Sequence, residues 1–199
     1  MTSAQKKHIR QLLRQQRHQL SFQEKTIAAE KIMQQLLALP EFQSCHHLAC
    51  YVAHDNEVDL HAMIHTVTTE EKRYYYLPVL DLHNPHRLEF YTYQSGDTLI
   101  TNRYGIPEPD ITHQQRIAPQ ELAIVLVPLV AFDEYGHRIG RGAGYYDRTF
   151  AFLLETPRRT RPLLIGLAYD FQQVEPIEPD SWDITLNKII TEKRTYHIL

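Results

Sequence analysis

The chain predicts an α/β protein built in three layers, α/β/α, with a largely parallel sheet and helices on both of its faces. Two observations carry that prediction. Apolar runs of strand length alternate with stretches of helical periodicity, the order that builds parallel strands joined by helices. Several of those runs, 123–130 and 161–169 among them, are apolar almost without break, which is the composition of strands covered on both faces. A third observation modifies the picture. The adjacent runs 73–80 and 87–93 are joined by an Asn84-Pro85 turn, so antiparallel strands are added to the sheet there.

Residues 3–20 form the first expected helix, with Ile9, Leu12, Leu13 and Leu20 on one side. Lys6, Arg10, Arg14 and Arg17 gather on another side, which reads either as a solvated face or as a surface that docks phosphates. Ser21 is placed to cap a second helix, and Glu24, three residues on, completes a capping box. That helix runs to about Leu39, and Pro40 stops it. Residues 47–53 read as a central strand that opens onto the polar stretch His54-Asp55-Asn56-Glu57, with a further helix from about Asp59. Strand ends of this kind are where α/β proteins hold ligands. His61 and His65 stand four apart on that helix, but no Glu follows His61 and no third ligand is evident, so they read as surface histidines.

The run 73–80 is a strand rich in tyrosine, with Pro78 marking its end or a sheet edge. Residues 87–93 alternate apolar and polar as an antiparallel strand does. Tyr104 to Pro109 is a loop stiffened by two prolines. Beyond the strand at 123–130 come a helix over 145–154, a buried strand over 161–169, a turn at 180–183 and a last short strand over 188–191.

Composition narrows the function. At 199 residues the chain is expected to be one domain, 1–199, and a monomer. Its 43% apolar and 23% charged content is that of a soluble globule, and a net charge of −3 gives no field that would draw it to nucleic acid or lipid. It has no apolar run of membrane-spanning length and a polar, basic N-terminal stretch, so a cytoplasmic protein with no membrane partner is expected. Cys45 and Cys50 are the only cysteines and do not form a CxxC pair, which fits a reducing compartment.

The most informative stretch follows the strand at 123–130. Four of the seven glycines fall between 136 and 144, and Tyr145-Tyr146-Asp147-Arg148 then begins a helix. A strand, a glycine loop and a helix start make an anion site, because glycine backbones let successive N–H groups turn inward. Arg138 and Arg141 add guanidinium groups suited to phosphate oxygens, and Asp147 suits a Mg²⁺ ion bridging to phosphate. Neither common nucleotide motif is present. No Lys-Ser/Thr follows Gly144, and Tyr145 stands where GxGxxG needs its last glycine.

The pattern running from Pro128 through Ala131-Phe132-Asp133, Gly136, Arg138, Gly140, Gly142 and Gly144-Tyr145-Tyr146-Asp147 resembles the signature of the 5-formyltetrahydrofolate cyclo-ligases, or methenyltetrahydrofolate synthetases. Leu129 departs from the usual glycine there, and Ala143 from the usual Gly or Lys. The resemblance implies a Rossmann-like mixed sheet with helices on both sides. It implies a ligase that closes 5-formyltetrahydrofolate to 5,10-methenyltetrahydrofolate with ATP and Mg²⁺, releasing ADP and phosphate. The γ-phosphate would pass to the formyl oxygen, and N10 of the folate would attack the activated carbon.

By the same resemblance, ATP would be bound by Lys6 and Arg10 from the first helix and by Arg138, Gly140, Arg141, Gly142, Ala143, Gly144, Tyr145 and Tyr146 from the loop. The folate would meet Val52, Glu57, Arg141, Gly142, Gly144 and Tyr145, with Glu57 accepting two neighbouring N–H donors of the pterin edge. Trp182-Asp183-Ile184 matches a second family motif, which makes Asp183 the partner of Asp147 at Mg²⁺. Tyr104-Gly105-Ile106-Pro107-Glu108-Pro109 matches a loop near the active site and nominates Glu108. Two alternatives stay open at this point: a non-catalytic nucleotide- or folate-binding regulator, and a sugar-phosphate isomerase or transferase on a similar sheet that needs no ATP.

Overall fold

Residues 1–60, 73–155 and 162–198 are described in a computed structural model of the chain. The expected helix from Asp59, with His61 and His65, lies outside the described residues. Two helices open the chain, α1 (Ser3–Gln19) and α2 (Phe22–Leu37), followed by the single turn α3 (Pro40–Gln43). Both long helices begin with capping boxes. Thr2 and Gln5 exchange hydrogen bonds at α1, and Ser21 and Glu24 do so at α2, satisfying N–H groups that no helix can pair internally.

Eight strands make the main sheet. In chain order they are β1 (His47–Ala49), β2 (Tyr74–Leu80), β3 (Leu88–Thr92), β6 (Arg116–Ile117), β7 (Ile124–Pro128), β10 (Leu163–Leu167), β11 (Lys188–Ile190) and β12 (Thr195–His197). Between them lie two small hairpins: β4 (Leu99–Thr101) with β5 (Pro107–Pro109), and β8 (Ala131–Phe132) with β9 (Arg138–Ile139). The order across the main sheet is β12-β11-β10-β7-β1-β2-β3-β6. The pairings β11·β10, β10·β7, β7·β1 and β1·β2 are parallel, whereas β12, β3 and β6 join antiparallel at the two margins. The sheet is therefore largely parallel with antiparallel additions, and 73–93 supplies one of them as expected.

The period of two in the strands divides the core between two faces. Leu48, Tyr75, Leu77, Ile124, Leu126, Ile165 and Leu167 pack on one side with Ala28, Ile32 and Leu36 of α2. Ala49, Tyr76, Val125, Val127 and Leu164 pack on the other with Phe90, Phe132 and Phe150. Ile32 and Leu36 are fully buried, and each such side chain contributes about 2 kcal/mol over leaving it in water. α1 belongs to neither layer. Its Leu13 packs with Val130, Ala131, Ile139 and Ile177, so the helix lies against the β8–β9 hairpin, next to the glycine loop.

Several elements are shorter than the sequence predicts. β1 ends at Ala49, and residues 50–53 leave the sheet although Cys50 N–H still donates to the Tyr76 carbonyl at 2.9 Å. The helix expected over 145–154 is broken into α4 (Tyr145–Thr149) and α5 (Phe152–Glu155). The break sits at the wholly buried Phe150, beside Thr149, whose hydroxyl donates to the Tyr145 carbonyl at 2.7 Å and accepts from Leu88 N–H at 2.9 Å. That tie to β3 holds the first turn against the sheet. The loop with two prolines contains the strand β5, and β12 is an additional strand that sequence patterning does not reveal. Among the described residues, no helix is long and apolar enough to cross a membrane.

Candidate active site

The segment 138–147 stands between two cavities. A polar one of about 800 Å³ is lined by Lys6, Arg10, Arg148, Asp180, Trp182 and Asp183, among others. An apolar one of about 310 Å³ is walled by Tyr51, Val52, Leu80, Leu88, Ile106, Pro107, Tyr145 and Tyr146, with Glu57, Asn102, Glu108 and Arg141 among its polar groups. Arg138, Gly140, Gly144 and Asp147 line both. One loop is thus the partition between a charged chamber and a greasy one. The apolar one lies where the parallel strands β1 and β7 give way to loops, which is where sheets of this type bind ligands.

The loop has the backbone of a cradle. Gly142 and Gly144 sit at φ +110° and +66°, conformations that L side chains rarely adopt. Among the described residues, the backbone N–H groups of 141–144 donate to no protein acceptor. α4, which begins at Tyr145, has only five residues, so its dipole adds less charge than a long helix would. The positive potential comes mainly from side chains. Arg10 Nε donates to the Gly140 carbonyl at 2.8 Å, and Lys6 pairs with Asp180 at 3.1 Å. Arg138 is almost enclosed, donating to the Ile184 carbonyl and to Asp147 Oδ1 at 2.7 Å.

Asp147 and Asp183 line the same polar cavity. Asp147 Oδ1 takes Arg138 and the Ile184 N–H (3.2 Å), and Asp183 Oδ2 takes the Asp180 N–H (2.9 Å). Each carboxylate is held in orientation through one oxygen, and among the described residues no hydrogen bond engages the other. Among the described residues there is no cluster of three or more His, Cys, Asp and Glu side chains disposed for a metal. A pair of held carboxylates nevertheless suits Mg²⁺, which takes one or two from protein and the rest from phosphates and water.

In the apolar cavity Glu57 is a carboxyl group displaced from its ordinary chemistry. Burial pushes its carboxyl above the usual range, opposed by Arg141 and by the His54 N–H. Arg141 Nε lies 3.1 Å from Glu57 Oε1, and its NH2 donates to the His54 carbonyl at 2.9 Å. The turn that presents these atoms is strained, with Asp55 and Asn56 both near φ +57°. It is pinned from α1: Arg14 (2.6 Å), the wholly buried Arg17 (2.9 Å) and His18 (2.8 Å) all reach the Asp55 carboxylate. Burial alone would raise the Asp55 pKa, but the bonds from Arg14 and His18 outweigh it and hold the group below its ordinary value.

At the far wall the Tyr145 hydroxyl accepts from Arg103 at 2.7 Å and meets the Tyr104 hydroxyl at 3.0 Å, with the two rings edge to face. Glu108 is buried and accepts from Asn102 Nδ2 at 3.0 Å and from Leu80 N–H at 3.3 Å. Tyr146 is partly buried, and that burial pushes its phenol above the ordinary range.

The profile of the 5-formyltetrahydrofolate cyclo-ligase family matches residues 2–192 of this chain. The chain belongs to that family. A 5-formyltetrahydrofolate cyclo-ligase of Haemophilus influenzae is 34% identical over 190 residues, covering 96% of this chain and 99% of its own. One from Escherichia coli is 31% identical over 185 residues, covering 93% and 99%. The solved 5,10-methenyltetrahydrofolate synthetase of Aquifex aeolicus superposes with a TM-score of 0.79 at 31% identity, over 97% of this chain and 92% of that one. The synthetase of Mycoplasma pneumoniae gives 0.72 at 26% identity, over 94% and 98%.

In this cyclo-ligase family member, the residues nominated from sequence converge on the two cavities. Lys6, Arg10, Gly142, Asp147 and Asp183 line the polar one; Val52, Glu57, Glu108, Arg141, Ala143, Tyr145 and Tyr146 line the apolar one, so the last four of these, all expected at ATP, do not line the cationic cavity. The four cations that share one side of α1 in the sequence divide. Lys6 and Arg10 face the polar cavity, while Arg14 and Arg17 are engaged by Asp55. Arg148, Asp180, Trp182, Asn102 and Tyr104 also line the cavities and were not nominated. Trp182 and Arg148 had a signal, since both adjoin predicted metal ligands. Asp180 and Asn102 had none, because their roles depend on which side chain arrives from elsewhere.

Proposed function

We propose that this chain catalyses the ATP- and Mg²⁺-dependent cyclisation of 5-formyltetrahydrofolate to 5,10-methenyltetrahydrofolate, releasing ADP and phosphate. The observation that carries the reading is the shared partition: one glycine loop bounds a cationic chamber and an apolar chamber. A triphosphate on one side and a flat pterin on the other would meet at the same backbone.

The polar cavity suits the nucleotide. Arg10, Lys6 and the free N–H groups of 141–144 would surround the phosphates, as backbone nests do. Trp182, 64% exposed at the cavity, offers a ring face to the base. Asp147 and Asp183 would hold Mg²⁺, which when bound spreads phosphate charge. The apolar cavity suits the pterin, with Val52 and Tyr145 against its faces and Glu57 accepting paired N–H donors from its edge.

Chemically, the formyl oxygen attacks the γ-phosphorus and ADP departs, leaving a phosphorylated iminium carbon. The folate's arylamine nitrogen bonds to that carbon and loses its proton. Phosphate then leaves with the former formyl oxygen. The chain's contribution is alignment of two bound molecules and neutralisation of charge, as in other phosphoryl transfers. Arg138 is tied to Asp147 and Arg141 to Glu57, so each must be shared or exchanged when substrates enter. No side chain is required as a covalent nucleophile; Cys45 and Cys50 are buried thiols that line neither cavity. The same reading puts the protein in the cytoplasm as a monomer.

The test is to incubate the chain with 5-formyltetrahydrofolate, with and without Mg²⁺ and ATP, and follow the near-ultraviolet absorbance of the methenyl product. Product that forms only when both are present, and not with Asp147→Ala, is expected. Turnover without ATP would favour an isomerase or transferase, and binding without turnover a regulator.

A further inference from the structure

Arg148 belongs to α4 and plays no part in the reading above, yet it lines the polar cavity. Its NH1 donates to the carbonyl of Ala143, and among the described residues no carboxylate pairs with it. The other arginines of the loop differ. Arg138 is tied to Asp147 and Arg141 to Glu57. Arg10 is the counterpart of Arg148: it also lines the polar cavity, and it also donates to a loop carbonyl, that of Gly140.

These two guanidinium groups, which among the described residues pair with no carboxylate, hold the loop at neighbouring points from within one cavity. A Cβ on Gly142 would lie 3.8 Å from the Arg10 guanidinium, and one on Gly144 would lie 3.2 Å from that of Arg148. Arg148 thus rests against the bare α-carbon of Gly144, a place no other residue type leaves open. Together the two arginines engage carbonyls of the loop, and among the described residues the N–H groups of 141–144 have no protein acceptor. A guanidinium has five N–H donors in a fixed fork, so one carbonyl bond leaves most of them for an anion.

Charge points the same way. Lys6, Arg10, Arg138 and Arg148 line the cavity against Asp147, Asp180 and Asp183. Without Arg148 the cationic and anionic side chains of the lining would balance. A polyphosphate needs an excess of positive charge beyond the metal it brings.

We propose that Arg148 is a phosphate-binding residue of the polar cavity, bonded to the Ala143 carbonyl and to the phosphate chain of a nucleoside triphosphate at the same time. The proposal rests on the nucleotide reading of that cavity. It makes Arg148 and Arg10 a matched pair at the glycine loop, one from α4 and one from α1.

The experiment is equilibrium dialysis of the full chain and its Arg148→Met and Arg148→Lys variants. The probes are Mg²⁺-ATP, inorganic tripolyphosphate, AMP and 5-formyltetrahydrofolate, with thermal melting measured alongside. Loss of a charge-assisted contact should weaken ATP and tripolyphosphate by about tenfold or more in Arg148→Met, with partial recovery in Arg148→Lys. AMP, the folate and the melting temperature should stay close to the parent. ATP and tripolyphosphate binding that match the parent would overturn the proposal. So would an equal weakening of all four probes, which would mark a residue that only shapes the loop. A parent chain that binds neither ATP nor tripolyphosphate would sink the nucleotide reading and this proposal together. A parent that turns over ATP beside an unaffected variant would sink this proposal alone.

Discussion

Glu57→Gln separates the proposed pterin contact from the fold. The side chain keeps its shape, and the one-atom change removes a charge and turns one acceptor into a donor. A carboxylate that accepts two parallel N–H groups forms two charge-assisted hydrogen bonds, each about 1.5–3 kcal/mol. Glutamine keeps one as a weaker neutral bond and opposes the other N–H with its own. The loss is about 3–6 kcal/mol of transition-state binding, or about a hundredfold to ten-thousandfold in kcat/KM.

Stability should hardly move. The Arg141 partner is 36% exposed at its side chain, so solvent screens that pair and it contributes about 1 kcal/mol or less. The amide is also cheaper to bury than the carboxylate, whose pKa burial already raises. A shift of a few degrees in Tm is the expected ceiling, at about 2–4 °C per kcal/mol for a chain of this size. The assay is the rate of methenyl product formation at saturating Mg²⁺-ATP with varied folate, next to a melting curve. A kcat/KM within about tenfold of the parent would refute the paired-acceptor argument. An equal loss of ATP binding would show that Glu57 supports the loop and not the pterin.

Asp55→Ala should be costly to the fold, because it strands the wholly buried Arg17 guanidinium. About 3–5 kcal/mol is expected, read as a drop in Tm of about 10 °C, and the double change Arg17→Met/Asp55→Ala should recover most of it. Because the Asp55 carboxyl sits below its ordinary value in the fold, its share of stability is present above that ordinary value. It is lost as pH falls through the depressed one; denaturation midpoints against pH check this in parent and Asp55→Asn. Arg141→Met should move the acid limb of the folate kcat/KM profile to higher pH. The ionised Glu57 is the binding form, burial raises its pKa and Arg141 opposes the rise, so removing the cation lets the pKa climb; an unmoved limb counts against the assignment. Trp182→Ala should weaken ATP by about 1–3 kcal/mol and leave inorganic tripolyphosphate untouched, if its ring carries the base. Equal effects on both ligands, by calorimetry, would remove that role.

Much of the candidate site was legible because its signals are local. The glycine spacing from Gly136 to Gly144, the arginines within it and the Tyr145-Tyr146-Asp147 start all lie in one stretch, where backbone angle and charge follow from residue type. The capping box of Ser21 with Glu24 and the apolar runs of β7 and β10 were local in the same way. Edges were harder. β12 is only three residues long, and α4 stops because Phe150 is drawn into the core and Thr149 is tied to β3, neither of which has a periodic signature.

Sequence alone determined the largely parallel α/β class, the main strand and helix stretches and the glycine loop as the candidate anion site. Tertiary structure decided which ions meet. Lys6, Arg10, Arg14 and Arg17 look equivalent along the chain, yet two face the polar cavity and two hold Asp55, because of how α1 packs against the β8–β9 hairpin. Whether Arg138 meets Asp147, Lys6 meets Asp180 or Arg148 is left facing the cavity depends on distances of a few ångströms across remote segments. Coulomb energy and desolvation turn on those distances, and only the packed core sets them.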